Sequence, residues 1–127
     1  MSGLNISQPL KKFIREQIHS VFSLEVLLLF HRNQHRSLTV SEVANELGIE
    51  LDVAQQQLSE LVSTDLLATT TGVISKYSYE PADEAVASVV DQLAVAYAKQ
   101  RVPILSLILS EHPDRIRGFR EAFRVIE

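Results

Sequence analysis

Apolar residues recur at helical spacing along most of the chain, and one interruption stands out. Leu10, Phe13, Ile14 and Ile18 fall on one face of a 3.6-residue period. Ser7-Gln8-Pro9 ahead of them supplies a capping hydroxyl and a proline suited to a first turn. Ser20 caps a second predicted helix running to about Asn33. Its centre, Val26-Leu27-Leu28-Leu29-Phe30, is apolar on nearly every side, which marks a central, buried helix. Thr39 and Glu42 stand at the spacing of a capping box, and Val43 and Leu47 continue an apolar stripe. Leu47-Gly48-Ile49 reads as a helix stop and a tight turn, because glycine takes left-handed backbone without a Cβ penalty. A further helix covers about Leu51–Ser63, with Leu51, Ala54, Leu58 and Leu61 on its inner face.

The period then changes. Leu66–Thr70 and Val73–Tyr79 flank Thr71-Gly72 and predict a short β-hairpin in which Tyr77 and Tyr79 share a side. After Pro81 the helical spacing resumes, from about Ala82 to Gln100. Between Ala85 and Ala98 only Ser88, Asp91 and Gln92 are polar, so this helix must be covered on most sides, by a second copy or by the helices that follow. Pro103 opens a short helix to about Ser110. Pro113-Asp114 opens a last one, with Ile116, Phe119 and Phe123 inward and Arg115, Arg117, Arg120 and Arg124 outward.

This order of capped helix, Gly turn, second helix and hairpin resembles the winged helix-turn-helix of bacterial transcriptional regulators such as the MarR and ArsR groups. The resemblance covers about Val21–Glu80. It is carried by the run from Leu38 to Ile49, by Ala54, Leu58, Leu61 and Leu66-Leu67, and by the strand Lys76-Tyr77-Ser78-Tyr79. Ala44 is small where the two helices cross, and Gly48 lets the chain reverse. The resemblance implies a mainly α fold with a small β-hairpin, a winged helix-turn-helix with extra N- and C-terminal helices. Residues 1–81 would form the winged-helix domain. Residues 82–127 would be a helical extension that packs on it or forms a dimer interface, since homodimers through terminal helices are common in that family.

In that family the second helix of the pair enters the major groove of DNA and the wing lies along the backbone. Transferred to this chain, the helix presents Asp52, Val53, Gln55, Gln56 and Ser59, and Lys76 becomes the wing's phosphate contact. Glutamine can pair with an adenine edge through two hydrogen bonds, although three successive glutamines also make an ordinary solvated helix face. Glu50 and Asp52 depart from the family, which commonly carries a small polar or basic residue there, and Asp65 stands where the family usually has Gly.

The charge pattern opens a second reading. Residues 37–75 hold six carboxylates and no Lys or Arg, a formal charge of −6. DNA affinity rests on neutralising phosphates, and this stretch repels them. Cations gather instead at Lys11, Lys12, Arg15, Arg32 and Arg36 and in the C-terminal arginine run. The leading expectation is a DNA-binding transcriptional regulator. The rival is an interaction adaptor that keeps the winged-helix scaffold, leaves DNA alone and docks a basic protein partner.

Composition narrows the chemistry further. The chain has 127 residues, 46% hydrophobic and 22% charged, with a net charge of −4 and no cysteine. Disulfides, thiolate metal sites and cysteine nucleophiles are thereby excluded. The longest apolar runs, Val26–Phe30 and Val102–Leu109, fall well short of the ~18 residues that span a bilayer. No nucleophile elbow or phosphate-cradling glycine loop occurs. His31 and His35 lie four apart on a helix, so both imidazoles share a face, a possible metal geometry, but no third ligand is near in sequence, and beside Arg32 and Arg36 they read as cations at a helix C-terminus. The expectation is a non-catalytic, cytoplasmic protein with no cofactor, no metal and no membrane segment.

Overall fold

The computed structural model describes residues 6–70 and 72–111. Six helices and one two-stranded antiparallel sheet follow in the order α1 (Gln8–Gln17), α2 (Val21–Arg32), α3 (Val40–Leu47), α4 (Leu51–Ser63), β1 (Leu67–Thr70), β2 (Lys76–Tyr79), α5 (Glu84–Lys99) and α6 (Arg101–Glu111). The proposed last helix and its four arginines lie outside the described residues.

Local chemistry sets most of the boundaries. The side chains of Ser7, Ser20, Thr39 and Asp83 each accept a hydrogen bond from a backbone N–H in the first turn of the helix they precede. At α3 the cap is reciprocal: the Glu42 amide donates to Thr39 Oγ1 at 3.2 Å and the Thr39 amide donates to Glu42 Oε1 at 2.8 Å. Gly48 closes α3 at φ +66°, as its position after Leu47 predicts. Asp65 also adopts left-handed backbone, at φ +63°, and is the only non-glycine residue with positive φ among those described. The family's glycine at this point thus has a conformational reason, and Asp is one of the few side chains that tolerate the same geometry.

α2 is the axis of the molecule. Ser23, Leu24 and the run Val26–Phe30 are all buried in it, and α3, α4, α5 and β2 pack around it. α4 contributes Ala54, Leu58 and Leu61 to this core, and Ala44 of α3 is buried with them. Leu51 was expected on the same inner face but is 56% exposed. It is the first residue of α4, beyond the end of the packed face, and lies beside Phe22 and Ile49 in an open surface groove of about 610 Å³. Gln57, the third glutamine of the run, is turned into the core instead of sharing a solvated face with the other two.

The hairpin is in register with Leu67 opposite Tyr79 and Thr70 opposite Lys76. Its strands are shorter than the sequence suggests, and the tip residues Gly72–Ser75 are exposed. Leu38, just before α3, pairs with Tyr77 through two backbone hydrogen bonds of 2.8 Å, so the segment between α2 and α3 forms a rudimentary third strand. α5 begins two residues later than expected and α6 two residues earlier, with Pro103 inside its first turn, where no N–H is needed. Both pack against α1 and each other, and α5 also meets α2.

Candidate nucleic-acid interface

α3 and α4 are joined through the Gly48 turn, and the hairpin stands beside them as a wing. The sequence-predicted contact residues fall on this surface unequally. Asp52, Gln55, Gln56 and Ser59 are exposed on α4, and Lys76 is exposed at the start of β2. Val53 is half-buried and lines the groove with Phe22 and Leu51. Asp52 turns its Oδ1 back to accept from the Val53 amide at 2.9 Å. Glu50 occupies the N-cap of α4 without a side-chain capping bond.

Tyr77 ties wing and helix together. Its ring is buried, its backbone is paired with Leu38, and its hydroxyl accepts from Gln55 Nε2 at 3.1 Å. Gln55 Nε2 also donates to Ser59 Oγ at 3.2 Å, one turn further along α4. Alternation along β2 therefore turns Tyr77 toward α4 and Lys76 toward solvent. Tyr77 is the residue that sequence reasoning passed over as a site member. Its signal was the shared side of Tyr77 and Tyr79, which identifies the inward face but not the polar partner.

Electrostatics reflect the charge count. Glu42 is held below the usual carboxylate range, chiefly by the backbone hydrogen bond it accepts from Thr39, with Arg36 and Lys76 adding attraction. Those two cations therefore lie on the α3 side of the surface, whereas Glu46, Glu50 and Asp52 stand exposed without a cation paired to them among the described residues.

The two histidines do not share a helix face. α2 ends at Arg32 with Asn33 as its C-cap, and His35 lies in the turn beyond. His31 reaches across to α5, its Nε2 2.8 Å from Asp91 Oδ1, and its ring meets Tyr79 edge-on. Burial above all, with Asp91 adding repulsion, pushes the Tyr79 hydroxyl up to about 12. No group of three His, Asp or Glu side chains that could hold a metal occurs among the described residues. No single helix among them is long and apolar enough to cross a membrane.

With this geometry in view, the comparisons bear on the fold. No protein-family pattern matches the chain, and no curated protein matches it in sequence. Solved structures do. YusO from Bacillus subtilis aligns with a TM-score of 0.54 at 16% identity, over 95% of this chain and 84% of that one. A ZitR variant from Lactococcus lactis gives 0.52 at 15% identity, over 84% and 71%. AdcR, the adhesin competence repressor of Streptococcus pyogenes, gives 0.51 at 14% identity, over 91% and 84%. The chain has the mainly α winged helix-turn-helix fold.

Proposed function

We propose that this protein is a non-catalytic, DNA-binding transcriptional regulator of the MarR-like kind, acting as a homodimer in the cytoplasm. The observation that carries the reading is an exposed polar face on α4, formed by Gln55, Gln56 and Ser59, beside a wing that is fastened to it through Tyr77 and exposes Lys76. A helix of this kind fits the major groove, with the wing along the backbone. That AdcR is a repressor supports the assignment. Arg32, Arg36 and Lys76 supply phosphate contacts that the acidic stretch cannot. Residues 82–127 supply the dimer interface, and the exposed Val95, Val102 and Leu109 of α5 and α6 support this role.

Titration of promoter and random duplexes at rising salt tests the reading. A binder loses affinity log-linearly, with a slope of about −0.9 per neutralised phosphate. Reversing Glu50 and Asp52 to Lys is expected to tighten non-specific binding, since both flank the leading end of α4. Absence of binding at low salt, unchanged by that reversal, would overturn the proposal and leave the acidic surface to a basic protein partner.

A further inference from the structure

Resting on the DNA-binding reading, we infer that Tyr77 is a positioning residue that turns Gln55 into an acceptor-only reader of bases. The inference follows from counting hydrogen-bond capacity. A glutamine amide offers two N–H donors and one carbonyl oxygen. Gln55 Nε2 is engaged twice, by Tyr77 Oη at 3.1 Å and by Ser59 Oγ at 3.2 Å. Its Oε1 takes no hydrogen bond among the described residues, and the residue is exposed. Bidentate pairing with adenine needs one donor and one acceptor from the same amide, and the donors are already committed.

What remains is an unengaged carbonyl oxygen on an exposed residue. In the major groove an acceptor is matched by an exocyclic amine, which is adenine N6 or cytosine N4; guanine O6 and thymine O4 are acceptors and are refused. Gln55 therefore discriminates amine-bearing bases from carbonyl-bearing ones and does not tell adenine from cytosine. Gln56, next along the exposed face and without such a tether among the described residues, keeps the full glutamine capacity.

The anchor is rigid. Tyr77 is 7% exposed, and its backbone N–H and C=O are both paired with Leu38. The hydroxyl is thus held by the wing strand, and the neighbouring residue is Lys76. A shift of the wing that moves Lys76 also moves the group that orients Gln55, so base preference and phosphate contact are linked through one strand.

Two measurements on the full chain and on its Tyr77→Phe variant test this. In the DNA-free protein, the Gln55 side-chain amide protons are expected to resonate apart from those of Gln56 and to move toward them in Tyr77→Phe, which keeps the ring and removes only the hydroxyl. Coincident Gln55 and Gln56 signals in the unaltered protein would show that no tether exists, whatever the protein does with DNA. In selection from a randomised duplex pool, the unaltered protein is expected to enrich adenine and cytosine alike at one position of the contacted strand, read as thymine and guanine on its complement, and the absence of such a two-base column would overturn the inference. Tyr77→Phe should shift that position toward adenine by about fivefold, the worth of one added hydrogen bond, with other positions unchanged. An unchanged profile overturns the inference. Recovery of no duplex by the unaltered protein would overturn the DNA-binding reading and this inference with it, while the amide signals would still report the tether.

Discussion

Helices α2 and α5 look alike in sequence and differ in the folded molecule. Each has a nearly continuous apolar stretch, Val26–Phe30 in one and Ala85–Ala98 around three polar residues in the other. In α2 every residue of that stretch is buried. In α5 only Val90 and Leu93 are buried, and Val95 is 54% exposed. The difference lies in the neighbours. α2 is surrounded by α3, α4, α5 and β2, whereas α5 meets α1, α2 and α6 and leaves a side open among the described residues. An apolar helix announces a need for cover, and its sequence does not say whether the same chain provides it.

Polar contacts follow the same division. α5 is fastened to α2 at two places by polar side chains: His31 with Asp91, and Glu25 with Tyr97, where Arg101 at the start of α6 joins them. Tyr97 Oη donates to Glu25 Oε2 at 2.9 Å, and the Arg101 guanidinium lies 5.0 Å from the Tyr97 ring centroid. Burial and the adjacent Glu25 carboxylate raise the Tyr97 hydroxyl above its ordinary value. Such partly exposed contacts contribute modestly, so the grip on α5 comes mainly from its few buried apolar residues.

The contrast is broken most sharply at Phe30, which is fully buried in α2. Phe30→Ala is expected to cost about 3–5 kcal/mol of unfolding free energy, read by urea denaturation; a cost below about 1 kcal/mol would remove α2 from its place as the axis. Next in size, Thr39→Ala removes the α3 cap and should cost about 1 kcal/mol. Glu42 belongs to the same cap. Because its carboxyl is held low in the folded state, its contribution is present above the ordinary carboxylate value of 4.5 and is lost as pH falls through the lowered one. The stability gap between the unaltered protein and Glu42→Gln should therefore close on acidification.

Smaller and opposite in sign, Asp65→Gly should stabilise by about 0.5–1 kcal/mol in a thermal melt, since glycine relieves the left-handed backbone. Asp65→Val should destabilise, and equal effects of the two would contradict the geometry. Smallest of all, Val95→Ser and Val102→Ser on the open side of α5 and α6 should change unfolding free energy by no more than about 0.5 kcal/mol when measured on the monomer. In sedimentation at rising concentration, the same pair should weaken self-association if that side is the dimer interface. An unaltered association constant would assign the interface elsewhere.

What the sequence determined by itself is local. Ser7, Ser20, Thr39 and Gly48 mark helix ends because a cap or a left-handed turn is a property of three or four adjacent residues, and the structure places each where the pattern does. The order of helices and hairpin carried the fold for the same reason. Only the tertiary structure decided which equivalent residues meet a partner. Gln55, Gln56 and Gln57 are identical in sequence, yet one is tethered to Tyr77, one faces solvent and one is buried. His31 and His35 keep a helical spacing that the end of α2 at Arg32 cancels. Leu51 continues an apolar stripe past the point where anything covers it. Burial and hydrogen-bond partnership are set by residues 20 to 70 positions away, such as Tyr77 for Gln55 and Asp91 for His31, and periodicity within one element contains no term for them.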